Sequence, residues 1–141
     1  MGELISVSNR QSARIDEDAL VSLARATLAG EGIEAAELSI SLVDEDEMER
    51  LHVRYMDEPG ATDVLSFPMD EVTSDDGVRL LGDVVIAPAV AARNNPADPA
   101  AEIRLLLVHG ILHLLGFDHE EDTERAEMWA LQERYSGVSS P

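Results

Sequence analysis

Cysteine and lysine are both absent from the 141 residues, and aromatic side chains make up only 4% of them. Without cysteine there are no disulfides and no thiolate metal ligands. Without lysine all ten cations are arginines, set against 29 acidic residues for a net charge of −19. Acidity of this size is a poor global match to nucleic acid, whose binding relies on cations and counterion release, and it reads first as solvated surface. It leaves room for a local basic groove. Arg54, Arg79, Arg93 and Arg104 are candidates for one, because arginine suits bidentate phosphate contacts better than lysine. Also missing is any run near the roughly 20 apolar residues that span a bilayer. The start M-G-E-L-I-S-V-S-N-R lacks the basic and apolar regions of a signal peptide. A cytoplasmic location and no membrane partner are the expectations.

What is present is 45% hydrophobic residues, over a length suited to one domain that buries about two-thirds of its unfolded surface. Strand and helix patterns alternate without a linker, repeat or low-complexity segment. Residues 3 to 8 form a short strand candidate. Asp16 caps a predicted helix to about Ala29, with Ala19, Leu20, Leu23, Ala26 and Thr27 on its apolar stripe. Leu38, Ile40 and Leu42 alternate with serines, the mark of a half-buried strand. Asp44 with Glu47 resembles a capping box opening a helix to about Tyr55, and Pro59-Gly60 ends it. Strands follow at 63 to 68 and 80 to 87, with a surface loop at 69 to 79 between them. Asp98-Pro99 starts another helix well, and a last one spans about Glu121 to Tyr135. The predicted fold is α/β or α+β, a single mixed sheet of about four strands packed with helices.

Residues 109 to 119 read H-G-I-L-H-L-L-G-F-D-H and hold three of the four histidines. His109 and His113 are four apart, about 400° of helical rotation, so both imidazoles leave one face. Gly116 is placed where a helix stops in the left-handed conformation, which lets His119 turn back toward the pair. Three neutral imidazoles without a fourth protein ligand are the donor set of a catalytic zinc with an open position, here one ion per chain at the end of a central helix. A lone histidine on an apolar helix is usually a satisfied core residue, but burying three of them without a shared partner would leave several ring nitrogens unsatisfied. Asp118 is a candidate fourth ligand or an acceptor orienting an imidazole. The spacing is that of the long metzincin protease signature. Those proteases carry a glutamate base directly after the first histidine, where this chain has Gly110. A zinc hydrolase of another substrate class is implied.

T-D-V-L-S-F-P (62 to 68), L-G-D-V (81 to 84), the histidine run and E-M-W-A-L-Q-E (127 to 133) together resemble the bacterial YbeY family over nearly the whole chain. The resemblance implies a zinc-dependent, single-strand-specific endoribonuclease of 16S rRNA 3′-end maturation and ribosome quality control. Its partners would be rRNA and ribosome or small-subunit proteins, with no DNA, and residues 1–141 would form one metal-dependent hydrolase domain. Carried over by position, the zinc ligands fall on His109, His113 and His119. Members of the family often have an arginine in the loop before the T-D-V-L-S-F strand. The aligned position here is Met56, and Arg54, two residues earlier, would point about 200° away on a helix.

The remaining catalytic candidates are weaker. Arg54 is a weak candidate to stand in for the family arginine, given the direction it would take on a helix. Asp63, Asp83 and Asp118 are candidate bases, equally readable as caps or surface charges. Ser66 is a candidate substrate contact, though a serine in a strand is more often polar packing. Tyr55 and Phe67 suit stacking on unpaired bases, yet with so few aromatics they read as core first. Two other classes stay open. A zinc-stabilised, non-catalytic ribosome-assembly factor would bind RNA without cutting it. A metallopeptidase would need a base that Gly110 cannot supply.

Overall fold

Alternating apolar and serine side chains build the middle of a four-stranded sheet. The computed structural model describes residues 4–33, 35–56, 60, 62–69, 78–117 and 122–138. In it β1 (Leu4–Arg10), β2 (Ala36–Val43), β3 (Val64–Pro68) and β4 (Arg79–Ile86) lie in the order β1-β2-β4-β3. β1 is parallel to β2 and β2 to β4, whereas β3 runs antiparallel to β4 and forms an edge. The helices are α1 (Glu17–Gly30), α2 (Glu45–Met56), α3 (Pro88–Asn94), α4 (Pro99–Leu114) and α5 (Asp122–Ser136). The expected mixed α+β fold with about four strands is the one found.

The strand pattern decides what each face of the sheet meets. Leu38, Ile40 and Leu42 of β2 join Leu81, Val84 and Ile86 of β4 on one face, packed against Leu20, Ala24 and Leu28 of α1 and Ile103, Leu107 and Ile111 of α4. On the other face Val43, Leu65, Val85 and Ala87 meet Met48 of α2 and Val90 of α3. Toward β1 that second face turns polar, with Ser6 and Ser8 exposed and the Ser6 hydroxyl donating to Ser39 Oγ at 3.5 Å. α4 is apolar nearly all round because it is enclosed. While one side lies on the sheet, Val108 and Leu112 pack against Met128 of α5.

Capping follows the sequence closely. The Asp16 side chain accepts from Ala19 N at 3.0 Å, Asp44 from Glu47 N at 2.8 Å and Asp98 from Ala101 N at 3.1 Å. The structure differs in two places. The buried stripe of α1 is Leu20, Ala24, Thr27 and Leu28, and Ala19 and Ala26 are exposed. Leu28 carries far more apolar area than Ala26, which rotates the helix toward it. The sequence reading also has no counterpart for α3, a seven-residue helix with Pro88 at its first position. Most of the predicted 69 to 79 loop lies outside the described residues.

Candidate metal centre and active site

The C-terminal end of α4 is held at a fixed point over the edge strand. Gly116 takes φ +101°, its N–H donates to His113 O at 3.0 Å, and Phe117 N–H donates to Leu112 O at 3.0 Å. This pair of bonds is a Schellman closure, accompanied by the expected apolar contact, since Phe117 and Leu112 share one cluster. The predicted helix stop at Gly116 is thus the one observed. His119 and Asp118, which follow it, lie outside the described residues.

One turn before that stop, His109 and His113 turn their Nε2 atoms toward each other at 3.1 Å, with ring planes 73° apart. His109 Nδ1 meets Oε1 of Gln132, a side chain on α5 that is only 4% exposed. Because an amide oxygen only accepts, it selects the tautomer with hydrogen on Nδ1 and leaves the Nε2 lone pair directed at His113. Two ring nitrogens at this distance need a proton or a cation between them. Tetrahedral zinc with Zn–N of about 2.0–2.1 Å sets its ligand nitrogens about 3.3 Å apart, so the pair fits such an ion with little adjustment. Among the described residues no group of three His, Cys, Asp or Glu side chains converges on one point.

The approach of α4 to the sheet depends on Gly110. A Cβ there would lie 2.7 Å from Val84 Cγ1 and 3.1 Å from Ser66 Oγ. The Ser66 hydroxyl donates to Gly110 O at 3.1 Å and ties β3 to the helix between the two histidines. Position 110 therefore faces the sheet. A peptidase glutamate at that position would drive into Val84, a physical reason for its absence. A cavity of about 320 Å³ opens beside the histidines, lined by Met56, Val64, Ser66, Pro68 and Leu114 among others. On the other side of His113 a second cavity of about 330 Å³ brings in Met69, Leu81 and the exposed Arg79.

A glycine-stopped helix presenting paired imidazoles over an edge strand narrows the choice, and comparison with known proteins decides it. The family model described as "Endoribonuclease YbeY" matches residues 6–137. The chain belongs to the YbeY family. It is 52% identical to the endoribonuclease YbeY of Thermobifida fusca, covering 91% of this chain and 88% of that one. With the Streptomyces griseus endoribonuclease YbeY it shares 47% over 91% and 85% of the two chains. A solution structure of a Thermotoga maritima protein superposes with a TM-score of 0.63 at 27% identity, over 94% and 87% of the chains.

The other candidates scatter around the histidine pair of this YbeY-family chain. Met56 lines the histidine cavity at the place expected for the family arginine, so a thioether faces the site there. Arg54 is exposed, with its guanidinium 5.4 Å from the Tyr55 ring centre, and is not among the residues lining either histidine cavity. Of the four arginines read as groove candidates, Arg79 alone lines a described cavity together with His113. Arg93 pairs with Glu45, and Arg104 donates to Ser136 O at 3.3 Å. Asp83, Tyr55 and Phe67 lie together on the opposite face of the sheet. Gln132 was not singled out in the sequence. Its signal was a polar side chain four residues after Met128, on the face of α5 that packs against α4.

Asp63 sits three residues before Ser66, about 10 Å along the strand. It accepts from Asn94 Nδ2 at 3.2 Å and from Thr62 Oγ1 at 3.5 Å, on the side of α4's first turn. There burial, and then the Asp63 charge, push the Glu102 carboxyl above the ordinary range, partly offset by a hydrogen bond with Asn94. A carboxyl whose folded pKa is raised favours the folded state when protonated, and that contribution is lost as pH rises through the carboxylate range. Glu102→Gln keeps the Asn94 bond and drops the repulsion. It should raise the melting temperature by about 1–3 °C at pH 7. The gain should vanish near pH 4 in the same calorimetric series.

Proposed function

We propose that this chain is a zinc-dependent endoribonuclease that cuts single-stranded RNA. Its place is 16S rRNA 3′-end maturation and ribosome quality control, in the cytoplasm and alongside ribosome or small-subunit proteins, with residues 1–141 acting as one hydrolase domain. The observation that carries the reading is the facing Nε2 pair of His109 and His113, oriented by Gln132 at a cavity mouth, in a chain of the YbeY family. His119 is the third ligand. No described helix is long and apolar enough to cross a membrane.

Bound zinc would supply positive charge for a phosphoryl oxygen and lower the pKa of a water to about 7. The chain's own residues do the rest. Gln132 holds His109 in the tautomer that presents Nε2. Gly110 and Ser66 set the distance from α4 to the edge strand, and so fix where both imidazoles stand. Arg79, which lines a cavity together with His113, offers a guanidinium to a phosphate of the bound strand. Met56 and Leu114 give the cavity an apolar part of its wall.

The test is metal content of protein purified without a histidine tag, together with cleavage of single-stranded RNA. About one zinc per chain and cleavage abolished by chelation are expected. Gln132→Leu fills the same volume but gives His109 no acceptor. It should weaken zinc affinity by about 10- to 100-fold in chelator competition, and Gln132→Glu, which keeps an oxygen there, should recover most of it. Unchanged affinity in the leucine variant would remove Gln132 from the site.

A further inference from the structure

Two consecutive pairs of residues divide themselves between the faces of the edge strand. Ser66 of β3 touches α4 beside the histidines, while its neighbour Phe67 packs on the opposite face, as strand geometry requires. At the end of α2, Met56 lines the histidine cavity, while its neighbour Tyr55 lines a different one. That second cavity, about 380 Å³, is walled by Tyr55, Phe67, Ser41, Asp83 and Arg10 and is as large as many small-molecule sites. It stands back to back with the candidate metal centre, one strand away.

Its chemistry is that of a base pocket. Tyr55 and Phe67 meet edge to face at 5.2 Å and 68°, and Tyr55 is 55% exposed, a large ring left in solvent with the Arg54 guanidinium over it. Exposed aromatics beside guanidinium groups are stacking platforms for unpaired bases. Asp83 is exposed on the cavity wall, and Ser41 adds a hydroxyl. Arg10 is held in place by Glu47 at 2.7 Å and by Ser8 at 3.4 Å. A carboxylate repels phosphate but accepts N–H donors from a base edge. Guanine alone offers two adjacent donors, N1–H and the N2 amino group, to the two carboxylate oxygens. Uracil sets one N–H between two carbonyls that the carboxylate repels. In a chain of net charge −19, recognition through stacking and base edges also asks little of a positive field.

We propose that this outer cavity is a nucleobase subsite that takes a guanine of the substrate strand next to the scissile bond, the RNA passing over the β3 edge. The proposal rests on the reading of the chain as a nuclease of single-stranded RNA. Stacking on the exposed Tyr55 ring holds the base plane, Phe67 backs that ring edge to face, and Asp83 reads the base's Watson–Crick edge.

The probes are GMP and UMP, which share a phosphate and have no internucleotide bond to cut, titrated into the purified protein and followed by amide NMR shifts. GMP should bind about tenfold more tightly than UMP and shift Ser41, Phe67 and Asp83. Tyr55→Ala should weaken GMP at least about fivefold. Asp83→Asn, near-isosteric at an exposed site, should bring the two nucleotides to equal affinity. In parallel, oligouridine carrying one guanosine should be cut within a nucleotide or two of it by the wild type, and at scattered positions by Asp83→Asn. Equal binding of GMP and UMP, or shifts confined to the histidine cavity, would overturn the subsite even if RNA is cleaved. A wild type that binds GMP through Asp83 yet cleaves no RNA would keep the pocket and overturn the nuclease reading instead.

Discussion

Replacing His113 with alanine is expected to leave the chain folded while removing metal and RNA cleavage together. His113 is half-buried in the last turn of α4, where alanine is the best helix former, and the Schellman closure beyond it uses backbone atoms only. Stability of the metal-free protein should fall by no more than about 1–2 kcal/mol, seen as a melting shift of a few degrees in chelator. Activity has no such cushion. The Nε2 facing His109 disappears, and a site of two remaining imidazoles holds zinc far less tightly. Metal-ion catalysis is worth several kcal/mol, so cleavage of single-stranded RNA should drop by about 10³-fold or more. Mass spectrometry of the purified variant, circular dichroism and a cleavage assay measure the three parts separately. A folded variant that has lost its metal but cuts at the wild-type rate would end the zinc hypothesis.

The site's local half was legible because it is periodic. Four-residue spacing put His109 and His113 on one face, and a glycine three residues on marked the helix end; both follow from the geometry of one helix. What escaped notice depends on contacts between elements distant in sequence. Gln132 lies 23 residues from His109 and acts only because α5 packs on α4. Arg79 was one of four groove candidates, and what singles it out, a cavity shared with His113, comes from the order of the strands, which no local pattern specifies. Gly110 reads in the sequence as a missing glutamate. In space it is a point where α4 touches Val84 and Ser66, so a residue's absence and its neighbour's size turn out to be one fact. α3 was missed for another reason. Seven residues give too few turns for a periodicity to emerge, and A-V-A-A lacks polar positions that would mark a face.

Gly82→Ala, at the one glycine in the described strands, should cost far more stability than alanine at an uncrowded glycine. The L-G-D-V segment carries Gly82 at φ +129°, a conformation that residues with a side chain rarely take. The pairing of β2 with β4 skips there, from Glu37 opposite Leu80 to Leu38 opposite Gly82, so Leu81 is the extra residue of a bulge. An alanine Cβ at 82 would stand 2.2 Å from Phe67 O and 3.0 Å from Met69 N and Pro68 Cα. All three are backbone atoms, so no rotamer change relieves the contact and β3 itself must move. Strain and displacement together should cost about 3–5 kcal/mol in urea denaturation. The damage should also spread to both cavities, because Pro68 and Met69 line the histidine side and Phe67 the outer one. Gly32→Ala provides the comparison. Gly32 has φ +79° with nothing within 4 Å of the added Cβ, so its cost of about 1 kcal/mol reports backbone strain alone. The excess at position 82 then measures how closely β3 is pressed onto β4. If the two variants lose equal stability, the close approach contributes nothing, and Gly82 is needed only for its backbone conformation.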